Sequence, residues 1–348
     1  MVKEIRFTEQ YSNGKITFHP DQLVKWAKIY GIVGHHSAIE ICSWTKKSLL
    51  NKGECYKHKF YGVDTHRCAQ ISPAAAWCQE SCIFCWRPME FYSKIKLKPS
   101  EVDKPNEIIN GVVEKRRKLL SGFKGNKNVD LHKFHEAYDL FPSHWAISLS
   151  GEPTIYPLLG ELINKLKTYK EVRSIFVVSN GQEPNVFRKW QENKQLPTQL
   201  YISLSAWNKS SFKSINRSMY EDGWERLLET LTDVLPSLDC RRVVRLTLIK
   251  GVNDMYLKEY ARILENTNTD YIEVKSYMHL GQSRQRLKES NMLFHDEVLE
   301  RAEKLLSFLD DFEYHNEQRE SRIVLLKNRN SPYEDYINNV NSSYQKKK

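Results

Sequence analysis

Six of the chain's seven cysteines lie between Cys42 and Cys85, and only Cys240 stands outside. Thiols this crowded must pair, bind metal or be buried, so they constrain the fold more than any other feature. A disulfide framework belongs to exported chains. Here the N-terminal MVKEIRFTEQYSNGK mixes charged and polar residues and has no apolar signal region. No apolar run approaches the ~20 residues that span a bilayer. The expectation is a cytoplasmic protein without membrane association, where clustered cysteines bind metal or do redox chemistry.

The cysteines fall into two groups. The segment AWCQESCIFCWRPMEF contains Cys78-x3-Cys82-x2-Cys85. Three thiolates this close can converge on one [4Fe–4S] cube and leave one iron open to a small chelating molecule. Structural zinc wants four ligands in spaced pairs, and His66 could supply the fourth, so the residues alone leave zinc open. Cys42, Cys55 and Cys68 lie thirteen residues apart. That spacing has no local geometric meaning. Folding must bring these three thiols together, and buried structural cysteines are the plain alternative. Cys240 precedes Arg241 at a strand start and reads as an inert core residue.

The remaining chain is organised as strands alternating with helices. Strands are expected at Arg67–Ile71, Trp145–Leu149, Val172–Ser179, Gln199–Ser205, Val243–Ile249 and Tyr271–Lys275. Helical runs such as Ile155–Leu166 and Trp224–Val234 separate them. Such alternation implies an α/β fold with a mostly parallel sheet, here of six βα units rather than the eight of a closed barrel. Ahead of it, Asp21 opens a helix through Leu23, Trp26, Ala27 and Tyr30 that Gly31 closes. Residues 41–100 show little regular period. A helix near His295–Leu309 and a strand near Arg322–Leu326 follow the last unit, and the polar NNVNSSYQKKK tail is expected to lack structure. The division expected is an extension over 1–66 carrying the first upstream ligands, a partial barrel over 67–290, and a cap with its tail over 291–348.

Strand ends are where α/β sites form. The second strand ends in Ser150-Gly151-Glu152-Pro153, where a glycine admits a ligand to the backbone and Glu152 could accept from a bound ammonium. The same residues also make an ordinary β-to-α turn. Ser179 and Asn180 end the third strand. Ser203 and Ser205 share a face of the fourth, either contacting a ribose or carboxylate or filling a narrow interior. Lys57 lies two residues after Cys55. A lysine forms a Schiff base with a ketone when burial or a neighbouring cation lowers its pKa, and Lys59 is the nearest cation in sequence. A solvated or phosphate-binding lysine is the plainer reading.

The net charge of +10 and pI of about 9.1 favour a polyanionic partner. Lys115, Arg116, Arg117 and Lys118, followed by Lys124 and Lys127, form a basic run. It is a solvated helix face or, with a nucleic-acid partner, a phosphate contact. Trp44, Tyr56, Phe60, Tyr61 and Trp86 could stack on a base, though packing around the cysteines accounts for most of them.

The Cys78–Cys85 spacing, with Phe84 before the last cysteine, resembles the CxxxCxΦC hallmark of the radical S-adenosylmethionine (AdoMet) superfamily. This resemblance implies a partial (β/α)6 barrel, AdoMet chelated by the open iron, and Phe84 packed near the adenine. It implies reductive cleavage of the cofactor to methionine and a 5′-deoxyadenosyl radical. The SGEP segment resembles the superfamily's GGEP, which holds the AdoMet amino group; Ser150 replaces its first glycine.

The pattern Cys-x12-Cys-x12-Cys-x9-Cys-x3-Cys-x2-Cys is more specific. With SWTKKSL, CYKHKFYG, HRC, CWRP, HWAISLSGEPT, VSNGQEP, YISLSAW and YIEVKSYMHLGQSRQRL, it closely resembles the tRNA 4-demethylwyosine synthases of wybutosine biosynthesis, over about residues 30–330. This resemblance implies a second [4Fe–4S] cluster on Cys42, Cys55 and Cys68, and Lys57 as the pyruvate lysine. It implies a lyase that condenses 1-methylguanosine beside the anticodon of phenylalanine tRNA, at position 37, with pyruvate. The radical would take a hydrogen from the N-methyl group. The carbon radical would attack the pyruvate carbonyl, the carboxylate would leave, and the guanine amino group would close the ring. Eukaryotic members carry a flavodoxin-like domain. Its absence here resembles the archaeal form and implies a separate electron donor of flavodoxin or ferredoxin type; a monomer is expected.

Overall fold

The computed structural model describes residues 9–93 and 96–340. The first eight residues and the tail from 341 onward lie outside it. Among the described residues a two-stranded hairpin comes first, β1 Gln10–Ser12 with β2 Lys15–Thr17. Helix α1 follows at Pro20–Ala27, capped by His19 and not by Asp21. Gly31 opens a strand instead of only closing that helix: β3 Gly31–Val33 pairs with β4 Ser37–Glu40. The stretch expected to lack a regular period contains two short helices, α2 Ser43–Leu49 and α3 Tyr56–Tyr61.

Strand β5, Cys68–Ser72, begins the alternating part, and α4 Pro105–Leu120 and α5 Leu131–Asp139 lead to β6, His144–Ile147. Next come α6 Leu159–Lys167, β7 Ser174–Ser179, α7 Pro184–Glu192 and β8 Gln199–Leu204. Helices α8 Lys209–Ile215 and α9 Gly223–Leu228 precede β9, Arg241–Leu248. Helix α10 Leu257–Leu264, β10 Tyr271–Ser276, α11 His295–Leu306, β11 Phe312–Gln318 and β12 Ile323–Asn328 complete the order. Two helices differ from expectation. Pro153–Ile155 makes a 3-10 turn, so α6 starts four residues late. Residues Glu229–Val234 continue α9 as a π-helical turn.

Among the described residues ten strands form one sheet in the order β11-β12-β10-β9-β8-β7-β6-β5-β4-β3. Strands β5 through β10 are mutually parallel, which gives the six βα units expected. The outer pairs are antiparallel, and the sheet is not closed into a ring.

Alternate strand residues divide between two faces. Val244, Leu246, Ile272 and Val274 pack with the helices in the main core. The opposite, inner face carries Phe176, Tyr201, Val243 and Tyr271, and Phe60 and Tyr61 of α3 pack against them. The segment between the upstream cysteines therefore covers the inner face of the parallel strands.

Candidate functional site

Cys78, Cys82 and Cys85 lie in the loop that follows β5. Backbone bonds set its course: Ser81 N donates to Asn216 O at 3.0 Å, Ile83 N to Ile215 O at 2.9 Å and Cys85 N to Cys82 O at 3.0 Å. Arg286 reaches in from far along the chain. It donates to Ile83 O at 3.1 Å, to Cys85 O and to the Glu90 carboxylate. Burial, with Glu80 beside it, pushes the Cys82 thiol well above its ordinary pKa, and burial also raises Cys85. All six clustered cysteines are free and keep partial exposure, whereas Cys240 is fully buried in the main core. This donor set fits a thiolate-bound cluster. Among the described residues no three His, Cys, Asp or Glu side chains converge on the point one metal ion would fill. Four irons take more room. His66, considered as a zinc ligand, instead pairs with Glu136 at 2.8 Å.

The expected AdoMet residues gather next to this loop. Gly151 has φ +70°, and a Cβ there would run into the carbonyl oxygens of Ala74 and Trp77, so only glycine fits. Gly151 N donates to Tyr92 OH at 3.0 Å and Glu152 N to Trp77 O at 2.8 Å. Ser150 uses its hydroxyl: it donates to Ala75 O at 2.7 Å and lies 3.2 Å from Tyr92 OH. Glu152 accepts from Thr154 N, Thr154 Oγ1 and Ser179 Oγ on one oxygen and from Asn180 N, at 2.9 Å, on the other. Burial lifts its carboxyl above the ordinary range, and the second oxygen keeps room for another donor. Asn180 Nδ2 and Ser205 Oγ are buried with no hydrogen-bond partner among the described residues. Orphaned polar atoms at strand ends fit a polar ligand. Phe84 packs beside Ile215, Ile249 and Tyr277. Ser203 lies deeper, in register with Arg245, which is itself in register with Glu273. Gln79, not singled out from the sequence, is buried between the cysteines with both amide atoms unpartnered. Its place within the CxxxC spacing was the available signal.

The upstream cysteines come from three elements. Cys42 caps α2, its sulfur accepting from Thr45 N at 3.4 Å; Cys55 caps α3; Cys68 opens β5. Thr65 ties them together, since its hydroxyl accepts from Cys55 N at 3.2 Å and its carbonyl from Thr45 Oγ1 at 3.1 Å. Burial and the neighbouring Cys42 push Cys55 up to about 11 and Cys68 up to about 12. That mutual influence puts the three thiols within electrostatic reach of one another.

Lys57 is buried, and burial followed by the Arg245 charge lowers its pKa. The cation expected to do this was Lys59, but Lys59 points away and donates to Glu317 O. The Lys57 Nζ lies 4.2 Å from the Phe176 ring centre and 5.2 Å from that of Tyr201. Arg245 donates to Glu273 at 2.8 Å and to Tyr56 OH at 2.8 Å, and Tyr61 OH donates to the other Glu273 oxygen at 3.2 Å. Lys275, on the same face, is brought down by burial to about 8. Arg245, Glu273 and Lys275 were not singled out from the sequence. Their alternation with Val244, Leu246, Ile272 and Val274 was the signal.

The basic run divides. Arg116 is buried and donates to the carbonyls of Cys68, His66 and Ala137, so it is no phosphate contact. Arg117 holds Tyr138 O and Asp139 O, and Lys118 pairs with Glu114. Lys124 and Lys127 are exposed. Of the aromatics, Phe60 and Tyr61 are core residues, while Trp86 is 44% exposed beside Arg87. No helix among the described residues is long and apolar enough to cross a membrane.

Comparison with known proteins agrees with this geometry. The Radical SAM superfamily profile matches residues 73–264, and the Wyosine base formation profile matches 266–328. The S-adenosyl-L-methionine-dependent tRNA 4-demethylwyosine synthase of Pyrococcus abyssi is 43% identical over 297 residues, 85% of either chain. That of Methanocaldococcus jannaschii is 41% identical over 305 residues, 86% of this chain and 93% of the relative. A solved structure of TYW1 with a lysine–pyruvate adduct bound superposes with a TM-score of 0.76 at 38% identity, covering 88% of this chain and 94% of that one. The chain therefore belongs to the family of S-adenosyl-L-methionine-dependent tRNA 4-demethylwyosine synthases, radical SAM enzymes of the wybutosine pathway.

Proposed function

We propose that this enzyme condenses 1-methylguanosine at position 37 of phenylalanine tRNA with pyruvate to form 4-demethylwyosine. In this reading Cys78, Cys82 and Cys85 hold the cluster that binds AdoMet, and Cys42, Cys55 and Cys68 hold a second [4Fe–4S] cluster. When bound, AdoMet supplies the radical that removes a hydrogen from the N-methyl group of the base. Glu152, Ser179, Asn180 and Ser205 receive the polar groups of AdoMet, with Gly151 admitting it to the backbone and Phe84 beside it. Ser203 lies between that end and Lys57.

The observation that carries the reading is the arrangement along β5. Cys68 opens this strand and the Cys78 loop follows its end, so the two thiol groups lie toward opposite ends of one strand. Lys57 projects onto the inner face near the first end. Burial and the Arg245 charge lower the Lys57 pKa, which favours the free amine that adds to the ketone carbon of pyruvate and loses water to give a Schiff base. The TYW1 relative with a lysine–pyruvate adduct makes that chemistry a family precedent. A separate reductant of the flavodoxin or ferredoxin class supplies electrons. Anaerobic turnover with AdoMet, pyruvate, dithionite and tRNA containing 1-methylguanosine, read by nucleoside mass spectrometry, is expected to yield the tricyclic base. Failure with this tRNA, with product from another tRNA, would reassign the substrate.

A further inference from the structure

The loop between α4 and α5 does not stand alone. Its Phe123 and Val129 pack on a small core of Ile41, Leu49, Leu120, Phe134 and Ala137. Asp130 N donates to Leu49 O at 2.8 Å. The loop is thereby seated against the end of α2, the helix that Cys42 caps. Two lysine groups distant in sequence reach adjoining surface in this way. Lys46, Lys47 and Lys52 come from α2 and the turn after it, and Lys124 and Lys127 from the loop. All five are exposed.

The carboxylates of these elements are engaged elsewhere. Glu54 accepts from Ser48 Oγ and from Lys133 Nζ, each at 2.9 Å. Asp130 accepts from Asn51 Nδ2 at 3.0 Å and from Lys133 N at 3.1 Å. Glu114 pairs with Lys118, Glu136 with His66 and Asp139 with His135. Lys133 turns inward, where its Nζ also reaches Ser48 O and Asn51 Oδ1 and ties α5 to α2. The five exposed lysines form no ion pair among the described residues. Lys47 stands over the Trp44 ring, its Nζ 4.5 Å from the ring centre. Like charges gathered on one surface, with the carboxylates held away from them, attract a polyanion.

We propose that this lysine face binds the phosphate backbone of the substrate tRNA, away from the base that reacts. The proposal rests on the reading above for one point, that the base is handled beside the upstream cysteines. The lysines come from two elements, so an extended row of phosphates can meet both. A phosphate needs only a point charge from each, which lysine supplies. The face also adjoins Cys42, at the same end of β5 as Cys68 and Lys57. An acidic electron-donor protein is the other polyanion to consider. Its electron is needed at the Cys78 loop, which follows the opposite end of that strand.

The test is tRNA binding to the reconstituted full chain, under anaerobic conditions, by fluorescence anisotropy over a series of salt concentrations. Two tRNAs serve as probes, one carrying 1-methylguanosine and one unmodified. Each phosphate contact contributes about 0.9 to the slope of log affinity against log salt. Changing Lys46, Lys47 and Lys52 together to Gln is expected to flatten that slope by about 2–3, and to weaken binding about tenfold or more at ~0.1 M salt. Changing Lys124 and Lys127 to Gln is expected to flatten it by about 1–2. Both tRNAs should respond alike, and Arg at the same five positions should bind as the parent does. Lys170, Lys189 and Lys258 are exposed on other helices and loops. Gln at those three removes equal charge and is expected to flatten the slope by less than about 1. An unchanged slope in the α2 variant overturns the proposal. Equal flattening by the two triple variants also overturns it, because the effect is then one of net charge. So does unchanged tRNA binding with slower reduction of the cluster by flavodoxin hydroquinone, which gives the face to the electron donor. If the α2 variant loses its iron on preparation, the loop variant decides, since Lys124 and Lys127 lie on no cysteine-bearing element, and an unchanged slope there overturns the proposal. Turnover is measured separately: a parent that makes no tricyclic base refutes the substrate reading, while a flattened slope in the variants still establishes the phosphate contact.

Discussion

The two cysteine groups are assembled in opposite ways. Cys78, Cys82 and Cys85 share one loop, and the chain's local path nearly suffices to converge them. Cys42, Cys55 and Cys68 sit on two helix caps and a strand, so only the tertiary fold brings them together. Each group is nonetheless clamped by one distant arginine acting on backbone carbonyls. Arg286 holds the downstream loop at Ile83 and Cys85, and Arg116 holds the upstream segment at His66 and Cys68. A short spacing still needs an external clamp when its thiols must stay apart from one another. A long spacing can do the same work when helix caps and a strand fix each thiol separately. The surroundings differ too: orphaned polar atoms at strand ends beside the downstream loop, and lysines, an arginine and aromatic rings beside the upstream group.

Removing each group in turn is the strongest way to break this comparison. With Cys78, Cys82 and Cys85 all changed to Ala, iron should fall from about eight to about four per chain, and AdoMet cleavage should vanish. With Cys42, Cys55 and Cys68 changed instead, iron should again fall to about four, but some AdoMet cleavage should persist without any tricyclic base. Iron analysis and 5′-deoxyadenosine release measure both. An upstream variant that keeps all its iron would show that those thiols hold no cluster. One that makes full product would deny them a part in substrate handling.

Lys57→Arg sharpens the comparison within the upstream end alone. Arginine keeps the charge but stays protonated and does not attack a ketone. The variant is expected to fold, hold its iron and bind tRNA, yet make no product. Borohydride with labelled pyruvate should capture an adduct on the parent and none on the variant. Turnover near the parent rate would move pyruvate from the lysine to the open iron of the upstream group.

The sequence made the downstream end far more legible than the upstream one. The parallel strands stand out as short apolar-rich segments between helical runs, and β7, Ser174–Ser179, reads as a near-continuous apolar run because it is buried on both faces. The cysteine triplet and Ser150-Gly151-Glu152-Pro153 follow strand ends, where a linear reading finds sites. Helices α2 and α3 were missed because each is under two full turns and is rich in lysine, with no apolar stripe long enough to show a period. The role given to Lys59 failed because a neighbour in sequence is not a neighbour on a helix, whereas Arg245, 188 residues further on, lies across the inner face. Arg116 looked like one more surface charge, since only the packed fold shows three carbonyls converging on it.

The smallest expected effect concerns the downstream end at its one departure from the GGEP pattern. Ser150→Gly would restore that pattern. It would remove the hydroxyl that donates to Ala75 O at 2.7 Å and meets Tyr92 OH at 3.2 Å. One neutral hydrogen bond contributes about 1 kcal/mol, and an added glycine costs roughly 0.5–1 kcal/mol more in chain entropy. For a chain of this size that corresponds to a Tm lower by about 1–3 °C. Gly151 N would still find Tyr92 OH, and Glu152 N would still find Trp77 O, so the approach to the backbone is kept. AdoMet cleavage should therefore stay within about threefold of the parent, less than 1 kcal/mol in the barrier. Iron bound by Cys42, Cys55 and Cys68 should not change. Calorimetry and 5′-deoxyadenosine release measure the two effects separately. A large loss of cleavage with a small loss of stability would mean that the Ser150 hydroxyl meets the ligand itself, and that its bond to Ala75 is not its main task.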